Sequence, residues 1–498
     1  MVVLESASAV PSAPFWRPSS PLPLAVDLDG TLLACDSLHE GFVAALMHRT
    51  SATPGTLAAL WKGRAAFKRE VCGLSPTVPE TLPFNEAFLD WLRSEAAAGR
   101  ELHLMTAADQ SVADCIAARL GIFTSATGSD GVRNLTGREK ATLLRLRFPK
   151  GFGYAGDRAD DLPVFAAASE IVLVNARPAV AARARAVAEA EGRTVLAEFP
   201  RRRHVAADWI RSLRLHQWSK NLLLLVPLVL GHAAGDTDAL LRCLAGILVL
   251  GCIASGTYIL NDLSDLQSDR QHATKRHRPF AAGRLSPLAG LAVGAALIVG
   301  GLLAALMLGH SFALGALGYV VLSLSYSMAL KCIPLFDTLA IAALFTLRVV
   351  LGVELAQVPY SPWLLCFAAF FFFSLALAKR HVEILQSATG SGAIALSRRG
   401  YTPEDWPLTL AFGAASGIAS LLIMILFVVD DVAPSRLYHS PAWLYVTPVA
   451  VAIWLGRIWL LAQRRQLHDD PVVFALRDPA SWAVGAAAAA SVALAVFR

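Results

Sequence analysis

The chain has 498 residues, of which 55% are hydrophobic and only 16% charged, with a formal net charge of +6 at pH 7. That apolar excess excludes an ordinary soluble composition and points to a membrane, and nothing in it marks nucleic acid as a partner. The seven cysteines are scattered and form no CxxC pair, which excludes a zinc site of that kind and a disulfide framework.

Residues 1–23, rich in Pro and Ser, read as a flexible lead-in, without the charged start and compact apolar stretch of a cleaved signal peptide. Up to residue 200 polar and apolar segments alternate as in a soluble α/β domain. Leu24 to Thr31 predicts an apolar strand delivering two carboxylates, Asp27 and Asp29, into a Gly turn. Two residues apart on extended chain, they project to the same side. Glu101–Thr106, Phe152–Asp157 and Glu170–Asn175 predict three further strands, each ending at or near a polar residue. Open α/β sheets present their sites at such strand ends. The insert between Gly30 and Glu101 reads as helical.

Those strand ends resemble the four motifs of the haloacid-dehalogenase (HAD) phosphatase superfamily, over about residues 22–200. The resemblance implies a Rossmannoid α/β domain at 24–200 with a small helical cap at about 32–100. In it Asp27 is the nucleophile that forms an aspartyl phosphate and Asp29 the acid–base. Thr106 and Lys140 hold the phosphoryl oxygens, and Asp27, Asp157 and Asp161 bind Mg²⁺. Lys62, Arg64 and Lys68 of the cap are placed to meet an anionic substrate, whereas Arg158 and Asp160 read as surface residues.

Residues 201–218 mark the domain boundary. From Arg201-Arg202-Arg203 to Lys220 the chain predicts a basic interfacial helix with the stripe Val205, Trp209 and Leu213, and with Arg211 and Arg214 for anionic headgroups. A linker helix packed on the soluble domain is the other reading. Beyond it nine spans are predicted, at about 219–234, 240–260, 286–308, 312–328, 334–353, 362–378, 409–429, 443–463 and 481–497. The loops on one side hold 13 Lys/Arg and those on the other only Arg436. The positive-inside rule then makes the first set cytoplasmic, puts the N-terminal domain on that side, and leaves the C-terminus outside an inner or plasma membrane.

The segment from Asn261 to Arg270 carries Asp262, Asp265 and Asp269 at i, i+3 and i+7, where an apolar span ends. On a helix they line one face. Three anions so placed call for a hard cation such as Mg²⁺, which is usually held together with substrate phosphates. An enzyme handling a diphosphate at the membrane is the expectation.

With the following Lys275-Arg276-His277-Arg278-Pro279, this motif and topology resemble the UbiA-type membrane prenyltransferase superfamily, over roughly 210–498. Gln217 to Asn221, Tyr326 to Lys331 and His468 to Val472 resemble more narrowly its decaprenyl-phosphate phosphoribosyltransferase-like branch. The resemblance implies an all-α domain at 219–498 that holds Mg²⁺ through Asn261, Asp262, Asp265 and Asp269. It moves phosphoribose from phosphoribosyl pyrophosphate to a polyprenyl phosphate. The aromatic prenyltransferases of the superfamily are similar to one another in a second DxxxD motif; here Asp337 is followed by Ile341 in place of the second acid. Arg348, about three turns on, shares the Asp337 face. Lys220, Asn221, Lys275, Arg278, Asp337, Arg348 and Lys379 are then the candidate substrate contacts. Positive-inside anchoring is the alternative role for Lys275 and Arg278 and the first reading of Lys379 and Arg380; helix capping is the alternative for Asp337, and His468, Asp469 and Asp470 read first as ordering a cytoplasmic turn. Two rival functions remain: prenylation of an aromatic acceptor from a prenyl diphosphate, and a non-catalytic transport or regulatory module.

Overall fold

The computed structural model describes residues 21–48, 55, 58–75, 79–200, 205–387, 399–432, 438–467 and 471–497. The predicted lead-in up to residue 20, the Arg201–His204 start of the linker and His468–Asp470 lie outside the described residues. The chain forms two compact units, one of residues 1–212 with 262–292, the other of residues 213–261 with 293–498.

In the first unit six parallel strands stand in the order β3-β2-β1-β4-β5-β6, with β1 Leu24–Val26, β2 Leu102–Asp109, β3 Ser125–Ser129, β4 Gly153–Gly156, β5 Glu170–Val174 and β6 Val195–Phe199. This is a Rossmann-like α/β sheet. The fully buried runs of β1 and β4 fit strands covered on both faces. Helices α1 Ser37–His48, α2 Arg64–Leu74 and α3 Glu86–Ala97 make up the insert after β1, and α4 Gln110–Leu120, α5 Gly137–Arg147, α6 Leu162–Ala167 and α7 Pro178–Ala190 form the crossovers. The chain reverses its direction across the sheet beside β1, and Asp27 and Asp157 directly follow β1 and β4. Crevices at such a switch point are where open α/β sheets bind ligands.

The four expected strands are present, but β3 and β6 were not expected. β3 reads Ser-Ala-Thr-Gly-Ser, short of apolar residues, and β6 is a half-exposed edge. Helix α8, Val205–Leu213, forms the first part of the described linker, and a 3-10 run from Leu215 takes in the rest. The helix buries Asp208 and Ser212 and sets Trp209 edge-on to Phe280, 6.1 Å between ring centroids, while Val205 of the expected stripe is exposed.

The remaining helices are α9 Leu225–Leu230, α10 Thr237–Ser264, α11 Leu266–Gln271, α12 Pro287–Leu308, α13 His310–Met328, α14 Phe336–Ala356, α15 Pro362–Ser387, α16 Trp406–Phe427, α17 Val446–Gln463, α18 Pro471–Arg477 and α19 Pro479–Phe497. Among the described residues eight helices, not nine, are long and apolar enough to cross a membrane. The first expected span is instead a 3-10 run, Leu215–Leu224, followed by the six-residue α9. At rises of about 2.0 and 1.5 Å per residue the two reach about 29 Å, near the thickness of a bilayer core. Gly352 of α14 lets the 3-10 run approach closely, since a Cβ there would stand 2.4 Å from the Leu224 carbonyl.

Candidate functional site

Asp27 is buried where β1 ends, and its Oδ1 accepts from Lys140 Nζ at 2.9 Å. The same ammonium donates to Tyr154 Oη at 2.9 Å and stands 3.6 Å from Asp161, while the tyrosine hydroxyl donates to Asp161 Oδ1 at 2.6 Å. Asp161 is held in turn by the backbone N–H groups of Asp157 and Arg158, at 3.3 and 3.1 Å. Thr31 donates to Asp157 at 3.3 Å, and Asp29 accepts from the Ser37 N–H, at the start of α1, at 2.8 Å. Gly30 turns the chain with φ +83°, and a Cβ there would lie 2.4 Å from Asp157 Oδ2.

One oxygen each of Asp27, Asp157 and Asp161 lies within 4.8 Å of the others. Burial, with added repulsion from Asp36 and Asp27, pushes Asp29 up to about 7. Burial, with Asp27 and Asp161 beside it, pushes Asp157 up to about 8. Lys140 stays charged despite burial because Asp27 and Asp161 flank it. Carboxyl groups thus outnumber the one ammonium at their centre, and an all-oxygen, acid-rich donor set of this kind fits Mg²⁺.

Thr106 is buried and its hydroxyl accepts from the Ala108 N–H at 3.0 Å. Lys68 of the insert reaches the end of β2, donating to the Ala107 carbonyl at 2.5 Å and to Asn134 at 2.7 Å. Lys62 and Arg64 are exposed, as are Arg158 and Asp160. Sequence reasoning missed Tyr154, the bridge between Lys140 and Asp161. Its only signal was a phenol inside a buried strand, which needs a partner for its hydroxyl.

In the acidic segment the helix breaks between α10 and α11, with Asp265 as the joint. Asp262 and Asp269 still converge, because Arg278 Nη1 donates to both, at 3.1 and 2.6 Å. Both acids are buried, Asp265 and Lys275 are half-buried, and Arg278 is 28% exposed. Burial raises Asp269 even though Arg278 and Lys275 oppose the shift. Two buried carboxylates on one cation make a donor set that also suits a divalent ion.

In the other unit, Arg348 is 3% exposed and spends its donors on Asn221 Oδ1 at 3.1 Å, Tyr319 Oη at 3.0 Å and the Leu344 carbonyl at 2.6 Å. Lys220, next to Asn221, places Nζ 5.3 Å from the centroid of Phe345. Asp337 is fully buried: Arg380 Nη2 stands 2.6 Å from its Oδ2, and Tyr401 donates to Oδ1 at 2.8 Å. Arg380 also pairs with Glu383 one turn on. The anchoring role expected for Arg380 is therefore corrected, because its guanidinium is 1% exposed and inside the protein. Glu383 three residues later was the available hint, since a charge placed within an apolar helix needs a partner. Lys379 is half-buried on α15.

The UbiA prenyltransferase family model matches residues 223–485. A protein called y4nM from Sinorhizobium fredii is 48% identical over 475 residues, 95% of this chain and 91% of its own. The decaprenyl-phosphate phosphoribosyltransferase of Corynebacterium glutamicum is 36% identical over 211 residues, 40% of this chain and 62% of its own. A solved UbiA homologue from Archaeoglobus fulgidus bound to GPP and Mg²⁺ covers 58% of this chain and 98% of its own at 16% identity, with a TM-score of 0.44. With its apolar helices, its acidic segment and a family match over more than half its length, the chain belongs to the UbiA prenyltransferase family.

Proposed function

We propose that this multi-pass membrane transferase moves phosphoribose from phosphoribosyl pyrophosphate to a polyprenyl phosphate, and that its soluble unit is a phosphatase acting on the 5-phosphate of the lipid product. The observation that carries the donor assignment is the engagement of Asp337 with Arg380 and Tyr401, together with Ile341 where a second acid would stand. With one acidic segment and several bases, the membrane half suits two strongly anionic substrates better than an aromatic acceptor. The name of the Corynebacterium relative supports the same reaction.

Asn261, Asp262, Asp265 and Asp269 would hold Mg²⁺, which supplies charge neutralisation on the leaving diphosphate. Arg278 lies on the same two carboxylates, and with Mg²⁺ present it would serve to bind a substrate phosphate. Arg348 fixes Asn221, and so Lys220 beside it, for a second phosphate; Lys275 and Lys379 are the other bases assigned to anion binding. The lipid phosphate is already an anionic nucleophile near neutral pH and needs no general base. In the soluble unit Asp27 would attack phosphorus, Asp29 would protonate the departing sugar oxygen, and Lys140 and Thr106 would steady the phosphoryl group, with Asp27, Asp157 and Asp161 as the Mg²⁺ ligands. The charge of the loops supports a cytoplasmic position for this unit.

Donor competition tests the assignment: purified protein with Mg²⁺ receives phosphoribosyl pyrophosphate, a prenyl diphosphate, polyprenyl phosphate and an aromatic acid together, and products are identified by mass. A phosphoribosyl lipid is expected. A prenylated aromatic without a sugar lipid overturns it.

A further inference from the structure

The segment 262–292, which in sequence joins two membrane-crossing helices, belongs to the same compact unit as the α/β sheet. Three ties hold it there. Arg270, the residue after Asp269, donates Nη1 and Nη2 to the two oxygens of Glu40 on α1, at 2.8 and 2.5 Å, in a pair whose side chains are 6% and 10% exposed. The Arg270 Nε donates to the Ala281 carbonyl at 2.8 Å, so the same guanidinium also closes the loop that carries Arg278. Gly283, at φ +67°, sits against Ala34 and Pro83, where a Cβ would be 3.1 and 3.0 Å from their side chains. Arg284 donates to Asp208 of α8 at 3.0 Å.

The far end of this contact path is the soluble site. Helix α1, which carries Glu40, begins at Ser37, whose N–H is bonded to Asp29, and Asp36 just before it pairs with Arg158 at 2.8 Å. Glu40 therefore stands one turn from a residue bonded to the Asp27–Asp29 site, and Arg270 stands one residue from Asp269. A buried, bidentate, charge-assisted pair is rigid and directional. Such a pair is a poor choice for stability alone, because apolar side chains of similar volume serve that purpose as well.

We infer that Glu40 and Arg270 are positioning residues through which the soluble domain sets the acidic segment of the transferase for metal and diphosphate. The inference rests on the proposed role of Asp262, Asp265 and Asp269 as metal ligands, but not on the identity of the donor. It makes the fusion a structural requirement of transfer, whatever the second site acts on.

The test uses the full chain in detergent and compares the parent with Glu40→Gln, Arg270→Gln and the exchanged pair Glu40→Arg with Arg270→Glu. All carry Asp27→Asn, so that the soluble cluster does not obscure metal binding. The probe is Mn²⁺, titrated with inorganic pyrophosphate and followed by its paramagnetic resonance signal. Backbone amide exchange across residues 262–285 is measured on the same samples. Loss of a residue that orients metal ligands weakens metal affinity by about 10- to 100-fold. That loss is expected in both single variants, with faster exchange in 262–285, unchanged exchange in β4 and β5, and substantial recovery in the exchanged pair. Unchanged Mn²⁺ affinity in Glu40→Gln overturns the proposal. So does a loss that accompanies faster exchange throughout the sheet and is not recovered by the exchanged pair, because that is a purely structural role. Should the parent bind no Mn²⁺ at all, the metal assignment fails first, and accelerated exchange confined to 262–285 would then uphold the positional tie alone.

Discussion

Single residues decide whether the soluble cluster forms. Gly30 has a positive φ, and Asp157 occupies the space a Cβ there would need, so any side chain displaces a carboxylate. Gly30→Ala is expected to cost about 1–3 kcal/mol of stability, on the scale of backbone strain. It should also abolish hydrolysis of an artificial phosphate ester; melting and turnover measured on one preparation check both, and wild-type turnover would mean that the Asp157 position is immaterial. His103 offers a second test, because burial and the nearby Arg147 hold its imidazole below the usual histidine value. The unfolded chain then takes up the proton first, so this residue's contribution is intact above about pH 6.5 and is lost as pH falls from there through its lower folded value. Melting temperature followed from pH 7 to pH 5 should fall less steeply in His103→Gln than in the parent, and equal slopes would remove His103 from the account. The place of Asp27 and Asp29 just beyond a strand was legible because the apolar run before them announces β1, whereas Lys140 was named only through the family resemblance. Tyr154 was not, since a tyrosine in a strand carries no sign of what its hydroxyl touches.

Elements were legible where apolar pattern and burial agree. β1, β2, β4 and β5 follow that rule, whereas β3 has too few apolar residues to announce itself, and a sheet neighbour supplies what its sequence lacks. The first membrane segment was misread in form because Asn221 and Gly352 draw a 3-10 run onto α14, a tertiary effect that hydropathy does not encode. The acidic motif was expected on one helical face; it straddles a helix break, yet Arg278 gathers two of its acids. Asp337 and Arg380 make the sharpest prediction at this scale. Arg380→Met would leave a carboxylate buried between α14 and α15 without its counter-charge, at a cost of about 3–5 kcal/mol. Adding Asp337→Asn should recover most of it, since the amide still accepts from Tyr401 and the fully buried carboxylate is gone. Unfolding rates in detergent separate the two, and a single variant as stable as the double would show that the pair contributes nothing.

At the scale of the whole molecule the question is why two acid-rich sites share one chain. On the proposed reading, a lipid phosphoribose would still carry its 5-phosphate on leaving the transferase, and a tethered phosphatase would meet it at an effective concentration of order millimolar. The chain joins the two sites through a short linker, and α8 of that linker is tied to the acidic segment by Asp208 and Arg284. If the sites act in sequence, Asp27→Asn should let the 5-phosphorylated lipid accumulate while its synthesis continues, since the nucleophile of the second step alone is gone. Asp262→Asn should stop both products, with transfer reduced by at least about 100-fold, the scale for removing an electrostatic clamp from a leaving group. Lipid extracts from reactions with phosphoribosyl pyrophosphate and polyprenyl phosphate, resolved by mass, distinguish the outcomes. Identical product ratios from the Asp27 variant and the parent would mean that the soluble site works on some other phosphate. In that event the ties at Glu40, Gly283 and Asp208 would remain as the proposed reason for the fusion, because they hold the acidic segment whatever the first site acts on.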